Sequence, residues 1–211
     1  MRTRAQSTTE ARPRFEFTGG ALCLDFANTV YPRPTAARRD HLVDYAGLLA
    51  WASEARVITR REERGLRNIA SGHPQASRRI FERAIRLREA IFALFSALAR
   101  HQHPSPRAFL TIETVFGSQR RLWGLKSSTA GPRWTWNRAS LRLELPLWAI
   151  ARSTIALVLS PGVRDLRECG ARDCEWLFLD ASRTRRRRWC DMRICGNREK
   201  ARRFYARRRS Q

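Results

Sequence analysis

Cys169-Gly-Ala-Arg-Asp-Cys174 and Cys190-Asp-Met-Arg-Ile-Cys195 place four of the chain's five cysteines in two equally spaced pairs within its last quarter. Both sulfurs of a Cys-x4-Cys loop can turn toward one ion. Four thiolates satisfy the tetrahedral preference of Zn2+ and leave no position for a reacting water. The expected cofactor is therefore a single structural Zn2+ held by Cys169, Cys174, Cys190 and Cys195. Two disulfides are the alternative. However, nothing after Met1 resembles a secretory signal, and close-spaced cysteine pairs in a cytosolic chain bind metal more often than they bridge.

The residues around the pairs extend this reading. An arginine run, Arg183 and Arg185 to Arg188, lies between them, and residues 181–211 hold 13 Lys/Arg against two Asp/Glu, a net +11 of the total +23. Charge of that density attracts polyanions. Gly170 and Gly196 each follow a cysteine, where a metal loop favours conformations that glycine adopts cheaply. Trp176-Leu-Phe178-Leu-Asp180 reads as a short strand over the site, with Trp189 and Met192 keeping water from the sulfurs. Asn197 is placed to cap a final helix whose inward face is Ala201, Phe204 and Tyr205. Phosphate contacts are expected from Arg185, Arg186, Arg187, Arg188, Lys200, Arg202, Arg203 and Arg207, and base contacts from Asn197 and Arg198. For the arginine run the bland alternative is a solvated basic turn, and for Asn197 it is a cap alone.

The stretch Cys169 to Ser182, followed by Trp189-Cys190 through Cys195-Gly196-Asn197-Arg198 to Tyr205, closely resembles the CGNR zinc finger, which is named for the four residues Cys195 to Arg198. Nearer the start, Gly19-Gly20-Ala-Leu-Cys-Leu24-Asp25-Phe26-Ala-Asn28-Thr29 resembles the opening motif of the ABATE domain, a mostly helical unit that usually precedes such a finger. The resemblance implies a stress-induced bacterial transcription regulator whose cysteines bind zinc and whose finger binds DNA.

Apolar periodicity gives the middle of the chain a helical reading. Asp40–Ala55 carries a broad apolar face, and Thr59–Ala70 opens with Thr59 and Glu62 in a capping-box pattern. Pro74 starts the longest helix, running to about Arg100 through Ile80, Ala84, Leu87, Ile91, Leu94 and Phe95, and Ser105-Pro106 begins another. Trp134-Thr-Trp136 and Leu141 to Leu145 alternate at period two around Asn137–Ser140, predicting a β-hairpin. Helix resumes from Pro146 to Leu159. The expected fold is mainly α with a small β-hairpin: residues 1–13 a disordered basic arm, 14–160 a helical domain and 161–211 a small four-cysteine zinc-finger module with a basic C-terminal helix.

Asp25, Asn28, Arg88 and Arg152 each interrupt an apolar stretch. Isolated buried charge is strongly disfavoured, so they are expected either to line an effector pocket or to form an Asp25–Arg88 pair within the core. Cys23 reads as a core residue. No phosphate loop, nucleophile elbow or His-Glu-x-x-His pattern is present, so an enzyme is the least supported class. No apolar run approaches the ~20 residues that span a bilayer, and a cytoplasmic, nucleoid-associated protein is expected. Duplex DNA is the expected partner, with a zinc-stapled RNA- or ribosome-associated protein as the alternative. The helical domain is expected to serve as a sensor of a small-molecule effector or as a homodimerisation unit.

Overall fold

Residues 15–118, 123–136 and 141–209 are described by a computed structural model. The arm expected at 1–13 and the turn expected at 137–140 lie outside them. The first helix, α1 (Leu22–Ala27), is short and central, with Cys23, Leu24, Asp25, Phe26 and Ala27 all buried. The strands β1 (Val30–Tyr31) and β2 (Arg39–Asp40) form a small antiparallel pair after it. Helices α2 (Tyr45–Glu54), α3 (Arg60–Gly72), α4 (Pro74–Ala99), α5 (Pro106–Gly117) and α6 (Leu145–Val158) build the domain around α1.

Local chemistry explains most of these boundaries. The Thr59 hydroxyl accepts from the Glu62 N–H while the Glu62 carboxylate takes the Thr59 N–H, completing the capping box at α3. Pro74 and Pro106 occupy the first turn of α4 and α5, where the missing N–H leaves nothing unpaired. The spine is α4, 26 residues long, whose Ile80, Ala84, Leu87, Ile91, Leu94 and Phe95 are buried against neighbouring helices.

Two boundaries differ from expectation. The helix predicted from Asp40 begins at Tyr45, because Asp44 is its cap, accepting the Gly47 N–H at 2.6 Å. Asp40 stands in β2 instead. The hairpin is also paired differently: β4 (Arg133–Trp136) runs antiparallel to β3 (Trp123–Lys126), upstream of it, with Trp123 opposite Trp136 and Lys126 opposite Arg133. Leu145 opens α6, and Leu143, Leu145 and Leu147 are buried in the domain core.

The chain leaves α6 through a 3-10 turn, Pro161–Asp165, into a third antiparallel pair, β5 (Leu166–Glu168) with β6 (Leu177–Leu179). Strand alternation here joins the two units. Leu177 faces the helical core, whereas Trp176 and Phe178 belong to a second, smaller core with the four paired cysteines. An all-apolar run suits a strand covered on both faces.

Candidate metal centre and basic face

Cys169 follows β5 and Cys174 precedes β6, so the first pair closes the loop of a hairpin; Cys190 and Cys195 both come just before the last helix, α7 (Asn197–Arg209). All four are buried, none is in a disulfide, and their sulfurs lie within 4.8 Å of one another. The Sγ–Sγ separations are 3.7 Å for Cys174–Cys190 and 3.5 Å for Cys190–Cys195. A bridge needs about 2.05 Å, whereas zinc–sulfur bonds of about 2.3 Å in a tetrahedron put the sulfurs about 3.8 Å apart. The spacing fits one zinc ion.

The charge state fits as well. Four thiols this close cannot all ionise freely: hydrogen bonds from Cys174, Cys190 and Cys195 favour the Cys169 thiolate, Cys195 is held low against the opposing Cys169 by Cys174 and Cys190, and Cys169 in turn keeps Cys174 and Cys190 protonated. A divalent cation removes that conflict and holds the loops together. The backbone N–H of Cys190 points at Cys169 Sγ at 3.4 Å, and an Arg198 guanidinium nitrogen approaches Cys195 Sγ at 3.3 Å. Both partially neutralise a thiolate-rich centre. A Cβ at Gly196 would meet Met192 Sδ at 2.6 Å and Trp189 Cδ1 at 3.2 Å, so the exposed Met192 side chain lies directly over the glycine.

Residues 20–161 match the ABATE family, described as "Putative stress-induced transcription regulator", and residues 165–208 match the CGNR zinc finger. The chain belongs to the ABATE family. No curated protein matches it. Neither the ABATE domain nor the CGNR finger is an enzyme family. Among the described residues no helix is long and apolar enough to cross a membrane.

Within the CGNR finger, several of the expected nucleic-acid residues are held internally. Arg198 and Arg202 both bind the Asp173 carboxylate, at 2.8 Å and 2.7 Å, and Arg202 also holds Glu199 at 2.5 Å. This clamp fixes the first turn of α7 to the Cys169–Cys174 loop. Arg185 pairs with Asp165. Arg187 donates from Nε to the Trp189 carbonyl at 2.8 Å and lies 4.5 Å from the centre of the Phe178 ring. Asp180, fully buried, organises the arginine loop by accepting from the Ser182 hydroxyl and from the Arg187 N–H. Asp173 and Asp180 were the missed residues; their only sequence signal is an acid standing in a basic segment.

Asn197 is not the cap. A π-helical turn, Met192–Gly196, runs directly into α7, and Asp191 caps it by accepting from the Arg193 and Ile194 N–H groups. Asn197 is itself helical and exposed, as are Lys200, Arg203 and Arg207, and Arg186 and Arg188 are exposed in the loop before it. Phe204 and Tyr205, expected to face inward, are exposed by 55% and 64%. The finger's core is too small to cover them: α7 stands clear of it beyond Glu199.

The structure does not bring together the four residues expected at an ABATE effector pocket. Asp25 accepts the Gly19 N–H at 2.8 Å, and burial holds its carboxyl up at about 6. Gly19 has no room for a side chain there, because a Cβ would lie 2.8 Å from Leu24 Cβ. Arg88, 1% exposed, pairs with Asp40 and Glu89 instead of Asp25. Asn28 is engaged by the backbone of Leu177, and Arg152 lies on the exposed side of α6. Cys23 is in the core, its thiol pushed up to about 12 by burial.

Proposed function

We propose that this protein is a DNA-binding transcription regulator that uses α7 and the adjoining arginine loop to hold duplex DNA. The observation that carries the reading is α7 itself. Its base is clamped to the metal loop by Asp173, while Lys200, Arg203 and Arg207, at spacings of three and four residues, project an exposed cationic row away from the body. Arg186 and Arg188 add exposed charge beside it. Arg185, Arg187, Arg198 and Arg202 contribute field and position more than free contacts. Asn197, exposed at the start of the helix, is the residue for a base edge. Zinc is structural in this scheme, no catalytic step is assigned, and the ABATE domain acts as sensor or dimerisation unit in a cytoplasmic, nucleoid-associated protein.

One observation favours the RNA alternative: Phe204 and Tyr205 are exposed among arginines, an arrangement on which unpaired bases stack. Competition between duplex DNA and structured RNA at one salt concentration tests the two. Tighter duplex binding is expected, with log K falling against log salt at a slope of about −4 to −5 for roughly five phosphates. Alanine at Arg186, Lys200, Arg203 or Arg207 should each reduce that slope by about one. Preference for RNA, or a flat salt response, would overturn the duplex assignment.

A further inference from the structure

A cleft of about 740 Å3 opens between the helical domain and the finger. Phe17, Thr18 and Tyr31 line it from the N-terminal side, and Trp176, Ile194 and Arg198 from the finger. Neither unit forms it alone.

Two of its lining residues carry orphaned donors that solvent does not reach. Thr18 Oγ1 and Arg198 Nε are buried and have no hydrogen-bond partner, two of only six such atoms among the described residues. Proteins leave few buried polar groups unpaired, and those that persist call for an explanation such as an absent partner. An O–H and a guanidinium N–H each call for an acceptor, and the Arg198 charge, already shared with Asp173 through another nitrogen, favours an anionic one.

The remaining wall chemistry narrows the class. Phe17, Tyr31 and Trp176 supply aromatic surface, with Tyr31 and Trp176 meeting edge to face at 5.6 Å. A ligand cation is disfavoured, because Arg198 already lies 5.3 Å from the centre of the Tyr31 ring and Asp191 is occupied by the Arg193 and Ile194 N–H groups. The charged lining is balanced, Glu16 and Asp191 against Arg193 and Arg198 with His41 beside them, which suits a single carboxylate on one arginine better than a dianion such as phosphate. We infer that this cleft binds a small aromatic monocarboxylate, its ring between the aromatic walls and its carboxylate on Thr18 and Arg198. Arg198 is the second residue of α7, so occupancy would bear on the base of the basic helix; that consequence, unlike the binding itself, rests on the regulator reading.

The test uses the full zinc-loaded chain without nucleic acid, so its result is independent of whether DNA binding holds. Benzoate, salicylate, nicotinate and indole-3-carboxylate are each compared with their uncharged amides by calorimetry and ligand-observed NMR. At least one acid should bind about tenfold more tightly than its amide, the scale of a lost charge-assisted hydrogen bond. Thr18→Val, and independently Phe17→Ala, should weaken that acid about fivefold or more while zinc content and Tm stay unchanged. If no acid outbinds its amide, or if the favoured acid binds both variants as well as the parent, the site assignment is wrong.

Discussion

The side-chain amide of Asn28 completes both backbone hydrogen bonds of Leu177, donating to its carbonyl at 2.8 Å and accepting from its N–H at 2.9 Å. One polar residue of the opening motif thus stands in for a neighbouring strand to β6. It works with Trp176, whose Nε1 donates to the Val30 carbonyl at 2.9 Å, and with Gly19, whose carbonyl accepts the Leu179 N–H at 2.9 Å. The motif that opens the helical domain is also the seam between the two units.

Asn28→Ala leaves the N–H and C=O of Leu177 unpaired at a buried site. Loss of about 2–3 kcal/mol is expected, the scale of two orphaned backbone groups. Urea unfolding of the zinc-loaded chain measures it, and an unchanged midpoint would show that the seam relaxes onto other partners.

Arg88 meets both carboxylate oxygens of Asp40, at 2.7 Å and 2.6 Å, from a fully buried position. Arg88→Ala should cost about 3 kcal/mol, since it removes both the pair and the packing of a long side chain. Arg88→Met keeps much of the volume, and Asp40, a third exposed, can turn to water. Methionine is therefore expected to recover at least half of the loss. Equal losses for Ala and Met would assign the whole effect to the ion pair.

Asp25 gives stability an acid-side dependence. Its folded carboxyl titrates near 6, raised by burial, whereas an unfolded Asp titrates at about 4. Between those values the folded chain holds a proton that the unfolded chain has released, so this residue's contribution falls as pH rises through the window and levels above it. Asp25→Asn retains an acceptor for the Gly19 N–H without the charge. At pH 7 it should be more stable than the parent by on the order of 2 kcal/mol, with the gain fading toward pH 4. A gain that does not vary with pH would point to packing instead.

Each zinc ligand is needed for the finger's small core. Serine at Cys169, Cys174, Cys190 or Cys195 should abolish stoichiometric zinc and unfold residues 165–209, with most far-UV helical signal retained by α1 to α6. Elemental analysis and circular dichroism check this. Zinc retained at one per chain in any of the four variants would remove that cysteine from the ligand set.

Much of this was legible because the deciding physics is local. A metal site needs thiols at short spacings, and Cys169–Cys174 with Cys190–Cys195 announces itself in the chain. The Thr59–Glu62 capping box and the prolines at 74 and 106 mark helix starts within one turn. What failed was long-range. Leu141 to Leu145 alternates over too few residues to tell a strand from the entry to a helix, and the partner of Trp134–Trp136 lies upstream at Trp123. Arg88 had several acids available, and nothing in the sequence ranks Asp40 above Asp25. Phe204 and Tyr205 have helical spacing for a buried face, but burial also requires a surface to receive them, which the finger lacks.

That missing surface gives α7 a thermodynamic character of its own. It is a 13-residue helix anchored at one end, and isolated helices of that length are only marginally formed in water. Its distal turns carry Arg203, Arg207, Arg208 and Arg209, whose mutual repulsion favours the coil. Added salt therefore acts in two opposed directions: it screens the repulsion and winds the free helix, while it weakens the attraction to a polyanion. A polyanion that neutralises the same side chains winds the helix as it binds, so part of the binding enthalpy is that of helix formation, and warming should weaken the complex before the rest of the chain melts.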